Sequence, residues 1–455
     1  MRRDCVTVFR RLPFVVALFL ALSFATSAAH ADDAKRPPQD YGGPPEETTP
    51  GDVLVWPARV VMFPLWLVTE FIFRRPLGVL VRAAERGAWV EELQDFFSFG
   101  PRKQVTIMPS ALLDFGLRPS VGFNLVWKYF LAEENTLKLH FGTWGPDWIA
   151  VKATNSYALS KEQSLFVETS LVRRRDNPFS GIGPRSRQDD RSRYFNTVAE
   201  AGVGQQWNFW RESIIRSSVG LRSLAFHDDD GGCCGDPSFS EAIAQGRFAP
   251  PPGIGRGYTG PYQRLSVEVD TRKERPAPGS GIRLEAHEES VFTVDSGRGE
   301  ERRSWVRYGG SVGAAVDVTG TSRVLSLSLA GELADPLSGT IPFTDQVALG
   351  GDVLMPGYLR GRLVDRSAAV ATLQYRWPIW VYLDGVMHAA VGNVWGERFK
   401  GFDMKANRLS SGLGFRSNGD RSSGFEFLFA VGSDPFDEGF AISSFRLLVG
   451  SHHGF

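Results

Sequence analysis

From about residue 105 to its end, the chain alternates apolar and polar positions with a period of two, the spacing that sends successive side chains to opposite faces of a β-strand. Phe123, Leu125, Trp127 and Tyr129 share one face, while Asn124 and Lys128 share the other. Leu165, Val167, Thr169 and Leu171 repeat the pattern, and Leu265, Val267 and Val269 alternate with Arg264, Ser266, Glu268 and Asp270. The clearest runs are Ile282, Leu284 and Ala286 against Arg283, Glu285 and His287; Leu325, Leu327 and Leu329 against Ser326 and Ser328; and Phe425, Phe427 and Phe429 around Glu426. Each predicted strand therefore has one dry face.

A soluble sandwich alternates in the same way, so strand length has to discriminate. Runs of about 10 to 14 residues exceed the usual soluble strand of about 5 to 6 and suit a tilted membrane span. Sixteen are predicted, near 105–116, 119–131, 136–145, 147–158, 163–174, 194–209, 212–226, 260–272, 281–294, 302–317, 321–334, 366–377, 383–396, 404–417, 422–432 and 440–453. An even number returns both ends to one side. The longest connections, 175–193, 227–259 and 335–365, all fall on the other side. The first side receives mostly tight turns, such as Ala132-Glu133-Glu134-Asn135, Ser160-Lys161-Glu162 and Asn418-Gly419-Asp420. Short periplasmic turns and long outer loops are the asymmetry of an outer-membrane barrel. Two connections fit less well: 273–280 is long for a turn, and Gly145-Pro146 is short for an outer loop.

The end of the chain fits a closing strand, because Phe445, Leu447 and Val449 share a face and the last residue is Phe455. Ser451, His452, His453 and Gly454 between them are poor pairing and lipid-facing residues, which predicts a weak end to that strand.

Ahead of residue 105 the pattern changes. Arg2, Arg3, Arg10 and Arg11, an apolar run from Leu12 to about Phe24 and the site Ala29-His30-Ala31 fit a secretory signal over 1–31, with Cys5 lost alongside it. Residues 32–52 read as a flexible Pro-rich leader. The segment from Val53 to Phe73 is almost long and apolar enough for a transmembrane helix, but Arg59, Glu70, Pro57 and Pro64 weaken that reading. Short amphipathic helices over about 57–97, lying at the periplasmic mouth or in the lumen, are the reading favoured for a helical segment 53–104. A barrel domain then covers 105–455.

Composition changes the picture in two ways. Lys and Arg balance Asp and Glu at 51 each, which argues against a nucleic-acid partner, and only 3 Cys exclude a disulfide scaffold. The loop from His227 to Asp236 does cluster metal-binding residue types, including Cys233 and Cys234, yet its spacing matches no zinc or EF-hand template, and neither a metal nor a cofactor is expected. Adjacent cysteines can close a vicinal disulfide or act separately. No GxSxG, HExxH, P-loop or dinucleotide motif is present, so no catalytic residue is assigned. Arg283, Glu285, His287 and Glu289 are most simply the lining of a wet lumen.

The segment Val347 to Trp395 carries Gly350-Gly351, Leu359-Arg360-Gly361, Leu373-Gln374-Tyr375-Arg376-Trp377-Pro378 and Gly392-Asn393-Val394-Trp395. With the FSGIGPRS stretch from Phe179 to Ser186, these resemble the barrel of the BamA/TamA-type outer-membrane superfamily, the bacterial surface antigens, over residues 105 to 455. The resemblance implies an all-β sixteen-stranded barrel whose sixth outer loop, carrying Leu359, Arg360 and Gly361, folds back into the lumen toward Gln374, Arg376, Ala390 and Gly392 on strands twelve and thirteen. Three departures stand out: the family's aromatic after Arg-Gly is Arg362 here, the acid on strand twelve is Gln374, and the strand-thirteen Phe and Asp are His388 and Ala390. Arg360 therefore needs another carboxylate or a wetter lumen, with Asp384 and Glu332 as candidates by position. The family's assembly and secretion members also carry periplasmic POTRA domains, for which there is no room between Asp32 and the first strand.

The leading expectation is a monomeric barrel in the outer membrane of a Gram-negative-type bacterium, surrounded by lipid, that assists insertion or translocation of unfolded outer-membrane or secreted proteins, or of lipids, through a seam between its first and last strands. A passive pore is the alternative, and an outer-membrane hydrolase the third reading.

Overall fold

A computed structural model describes residues 92, 95–227, 234–272, 279–294, 302–318, 320, 322–351, 354–380, 383–417 and 424–452. The expected signal, leader and apolar segment 53–73, nearly all of the helices expected over 57–97, and also Cys233 and Phe455 lie outside the described residues.

Sixteen long strands follow one another: β1 (Val105–Asp114), β2 (Ser120–Lys128), β3 (Asn135–Thr143), β4 (Trp148–Ala158), β5 (Gln163–Phe179), β6 (Ser192–Trp210), β7 (Ser213–Phe226) and β8 (Tyr258–Asp270). Then come β9 (Gly281–Phe292), β10 (Ser304–Asp317), β11 (Val324–Ser338), β12 (Ser367–Trp380), β13 (Leu383–Trp395), β14 (Arg408–Ser417), β15 (Gly424–Ser433) and β16 (Ile442–His452). Every strand pairs antiparallel with its successor, and β16 returns to β1. The sheet is thus a closed barrel, the arrangement that removes sheet edges. All sixteen strands lie where the period-two pattern predicts them.

The two faces separate as the alternation requires. Leu325, Leu327 and Leu329 are exposed on the outside, as are Leu165, Val167, Leu265, Ile282 and Leu284, an apolar belt. Their neighbours point inward and pair: Arg283 with Glu268 at 3.0 Å, His287 with Glu332 at 3.0 Å, and Glu289 with Arg222 at 2.7 Å and Arg307 at 3.3 Å. These inward charges are paired with one another across neighbouring strands.

The barrel is uneven in height. Strands β5 to β13 have 12 to 19 residues, whereas β14 to β16 and β1 to β4 have 9 to 11. The extra length overhangs the outer side: β5 runs on to Phe179 and β6 begins at Ser192, so the loop expected over 175–193 shrinks to 180–191. Gly145-Pro146 sits in a tight outer turn closed by Trp148 N–H to the Gly145 carbonyl at 3.1 Å, with Gly145 at φ 95°.

Two outer loops carry structure of their own. The connection after β7 holds α1 (Phe239–Ala244), opened by a capping box of Ser238 and Glu241; in the same connection Cys234 is disulfide-bonded. The connection between β11 and β12 folds back on itself as a small ribbon, Val347–Leu349 against Leu363–Asp365. Its Val347, Leu349, Met355, Tyr358 and Leu363 are buried together with Tyr262, Trp305, Ala368, Val370, Ala390 and Val394 of the barrel wall. This connection therefore supplies the apolar core inside the barrel.

Candidate functional site

Closure of the barrel is short. Among the described residues strand β16 meets β1 through three pairs, Leu448 with Asp114, Val449 with Leu113 and Gly450 with Leu112, extended by Phe115 N–H to the Leu447 carbonyl at 3.0 Å. Among the described residues every other junction between neighbouring strands has between seven pairs, at β14–β15, and fifteen, at β5–β6.

The backbone of β1 explains part of this. Lys128 N–H reaches the Gln104 carbonyl on the β2 side, whereas the amides of Ile107 and Phe115 face the other edge. With an unbroken register from Val105 to Leu112, the odd-numbered residues of β1 turn their backbone groups to the seam. Pro109 is one of them, so the seam lacks a donor at its middle. On the opposite strand Gly450 passes so close that a Cβ there would lie 2.4 Å from the Ala111 carbonyl oxygen. The closing contact accordingly depends on a glycine.

One ion pair holds what the ladder does not. Arg446 donates from Nε to Asp114 Oδ1 at 2.9 Å and from Nη2 to Oδ2 at 2.7 Å, with both side chains buried on the inner face. A bidentate pair of this kind fixes orientation as well as charge. Beside it Leu112, Leu428, Ala430 and Leu448 form an apolar patch.

The tip of the β11–β12 loop lies across this junction from inside. Gly357 N–H donates to Ser410 Oγ on β14 at 2.8 Å, Ser444 Oγ on β16 donates to the Gly357 carbonyl at 2.7 Å, and Arg446 Nη1 reaches the Pro356 carbonyl at 3.4 Å. Tyr358 donates to the Ser433 carbonyl on β15 at 2.6 Å. Burial pushes its phenol up to about 12, so it remains a donor at neutral pH. Gly432 leaves room for that ring, since a Cβ there would come within 2.5 Å of it. The next residue, Leu359, packs on Gly116, just past the end of β1. The tip thus touches both sides of the seam.

Beyond Leu359 the loop turns to the FSGIGPRS stretch. Arg360 is exposed and lies over Gly351, and Gly361 sits beside the Pro178 carbonyl. Arg362 is buried and donates to Gln188 Oε1 at 2.7 Å, Ser186 Oγ at 2.8 Å and the Ser186 carbonyl at 2.8 Å. Burial, with the Arg408 guanidinium nearby, pushes Arg362 down to about 9, which leaves it charged at neutral pH. Gly183 N–H bonds the Val364 carbonyl at 3.0 Å, while Asn393 and Arg408 reach the Pro184 carbonyl at 2.9 and 3.3 Å. The two stretches that carried the sequence resemblance are therefore in contact.

The other positions singled out from the sequence are placed as follows. Ala390 faces the loop core, and Gly392 on β13 pairs with Val370. Gln374 pairs with His388 across β12 and β13, and Arg376 lies 3.8 Å from Asp384. Glu332 bonds His287, and Asp384 lies by Arg376, so both acids considered for Arg360 have partners on the barrel wall. Phe445, Leu447 and Val449 share the outer face of β16, and Phe445 is exposed. His452 and Ser451 pair with β15.

Sequence reasoning passed over Pro109, Arg446, Asp114 and Tyr358. A proline inside a predicted strand hints at an edge, while the Arg446–Asp114 crosslink becomes visible only once the register of the first and last strands is known. Arg362, in the sequence only a departure from the family pattern, makes three of the hydrogen bonds between the loops.

No family model and no curated protein matches the sequence. Among solved structures, BamA from Haemophilus ducreyi, in a form lacking POTRA domains 1–3, is 12% identical, with 76% of this chain and 70% of that chain covered and a TM-score of 0.54. CdiB from Acinetobacter baumannii is 10% identical over 76% of this chain and 59% of its own, with a TM-score of 0.48. CdiB from Escherichia coli is 12% identical over 76% and 63%, with a TM-score of 0.46. This chain has the closed sixteen-stranded fold of the BamA barrel, as the resemblance of its loop segments implied.

Proposed function

We propose that this chain is an outer-membrane barrel that assists insertion or translocation of proteins by parting laterally between β16 and β1. The observation that carries this reading is the three-pair junction, with Pro109 facing it and one buried ion pair holding it. Separating three pairs exposes few main-chain groups, whereas a hydrophobic environment penalises each unsatisfied group by several kcal/mol. A seam of this kind is the place in the wall where an edge can be offered to an unfolded client at least cost. The outer half of the lumen holds the apolar loop core, an arrangement that speaks against a wide passive pore.

The test is a reversible lock. Leu113 and Val449 are directly paired, so Leu113→Cys with Val449→Cys can close a disulfide across the seam. In cells depleted of the native chain, the oxidised variant is expected to lower the levels of other outer-membrane barrels, and reduction is expected to restore them. Unchanged barrel levels with the seam locked, together with ion conduction by the purified protein, would establish a pore instead.

A further inference from the structure

The lower half of the same edge is already occupied by the chain itself. The amide of Ile107 faces the seam and donates to the Phe97 carbonyl at 3.0 Å. Ser98 pairs with Thr106 and Phe99 with Val105, antiparallel, while β2 fills the opposite edge of β1. The hairpin between them is closed by Lys103 N–H to the Gly100 carbonyl at 3.0 Å, with Gly100 at φ 90°, and by an ion pair of Lys103 with Asp95. Three consecutive stretches therefore divide the seam edge of β1: Phe97–Phe99 on Val105 to Ile107, no donor at Pro109, and β16 on Leu112 to Asp114.

We propose that Phe97–Phe99 is a displaceable strand that occupies the edge an incoming extended polypeptide needs, and so holds the resting barrel closed to clients. This rests on the lateral-seam reading above and adds its regulation. The geometry suits the role. Two pairs and one described main-chain bond to Phe97 fill the edge without anchoring it strongly, and the proline beside them prevents the self-strand and β16 from merging into one continuous ladder. Displacement by a client strand exchanges one set of main-chain hydrogen bonds for another of the same kind, and a longer strand wins by the number of bonds it adds. Short edge strands and edge prolines are general devices for keeping an edge from pairing indiscriminately.

Ser98 Oγ and Thr106 Oγ1 lie 3.4 Å apart, so Ser98→Cys with Thr106→Cys, in the full chain with Cys5, Cys233 and Cys234 replaced by Ser, can be locked by oxidation. The probe is a fluorescent peptide copying residues 442–452, the strand that pairs with β1 at the seam, added to the purified barrel in detergent. The oxidised form is expected to bind at least tenfold more weakly than the same molecule after reduction. Phe99→Pro, which removes a self-strand amide, is expected to bind about tenfold more tightly than the unsubstituted chain and to speed hydrogen exchange at Ile107. Equal binding by the oxidised and reduced forms would overturn the proposal. So would an absence of binding by Phe99→Pro once exchange shows the Ile107 amide to be free. Neither result touches the Leu113–Val449 lock, so failure of the self-strand and failure of the seam reading remain distinguishable.

Discussion

The β5–β6 wall and the β16–β1 seam are built from the same kind of strand and held in opposite ways. Between β5 and β6 there are fifteen pairs, and the inner face nearby is cross-braced by Glu168, Glu200, Arg216, Arg222, Arg264, Glu289 and Arg307 on successive strands. Each acid in that ladder touches more than one arginine or shares one with its neighbour. At the seam there are three pairs and one ion pair, Arg446 with Asp114. The far wall is cross-braced many times over, whereas the seam has a shorter ladder, one described ion pair and the loop tip laid across it. In a structure whose net stability is a small difference between large terms, the junction with the fewest main-chain pairs is the first to open.

The contrast can be broken most severely at Arg446. Arg446→Ala leaves Asp114 buried without its bidentate partner and is expected to cost about 3 to 5 kcal/mol. The loss should appear as fast hydrogen exchange at Leu113 and Phe115, with β5–β6 unchanged. Next comes the loop that lies across the seam. Arg362→Ala removes a charged donor from Ser186 and Gln188 and is expected to cost about 1.5 to 3 kcal/mol, read as protease cleavage of the β11–β12 loop. In the far wall the same type of change should matter less. Arg264→Ala leaves Glu289 with Arg222 and Arg307, and Glu200 with Arg222, so about 1 kcal/mol or less is expected in thermal unfolding. The smallest effect has the opposite sign. Pro109→Val returns a donor to the seam edge and is expected to stabilise the junction by about 0.5 to 1 kcal/mol, slowing exchange at Ala111 and Leu113.

The number and places of the strands were legible because a period of two is a local property, and residues such as Leu325, Leu327 and Leu329 display it without reference to any partner. Strand ends were less legible: β5 and β6 overhang the barrel, and the Phe179 expected in a loop is still paired, with Ser192. The sequence points to Ser451 through Gly454 as the weak end, of which His453 and Gly454 lie outside the described residues; the described seam adds Pro109 and the shortness of the pairing. Pro109 carries that meaning only once the register shows which edge its nitrogen faces. Arg446 and Asp114 sit at opposite ends of the barrel sequence, and nothing local joins them. For the loop, the sequence draws attention to Arg360. The structure also buries the next-but-one residue, Arg362, among neutral oxygens of Ser186 and Gln188, a partnership that only the folded loop creates.

Native-state hydrogen exchange across the whole barrel compares the seam with the far wall amide by amide. The seam-facing amides of Leu113 and Phe115 are expected to exchange roughly a hundredfold faster than the paired amides of β5 and β6, with Arg446→Ala widening the gap. Equal protection at the seam and the far wall would rule out a seam that opens first.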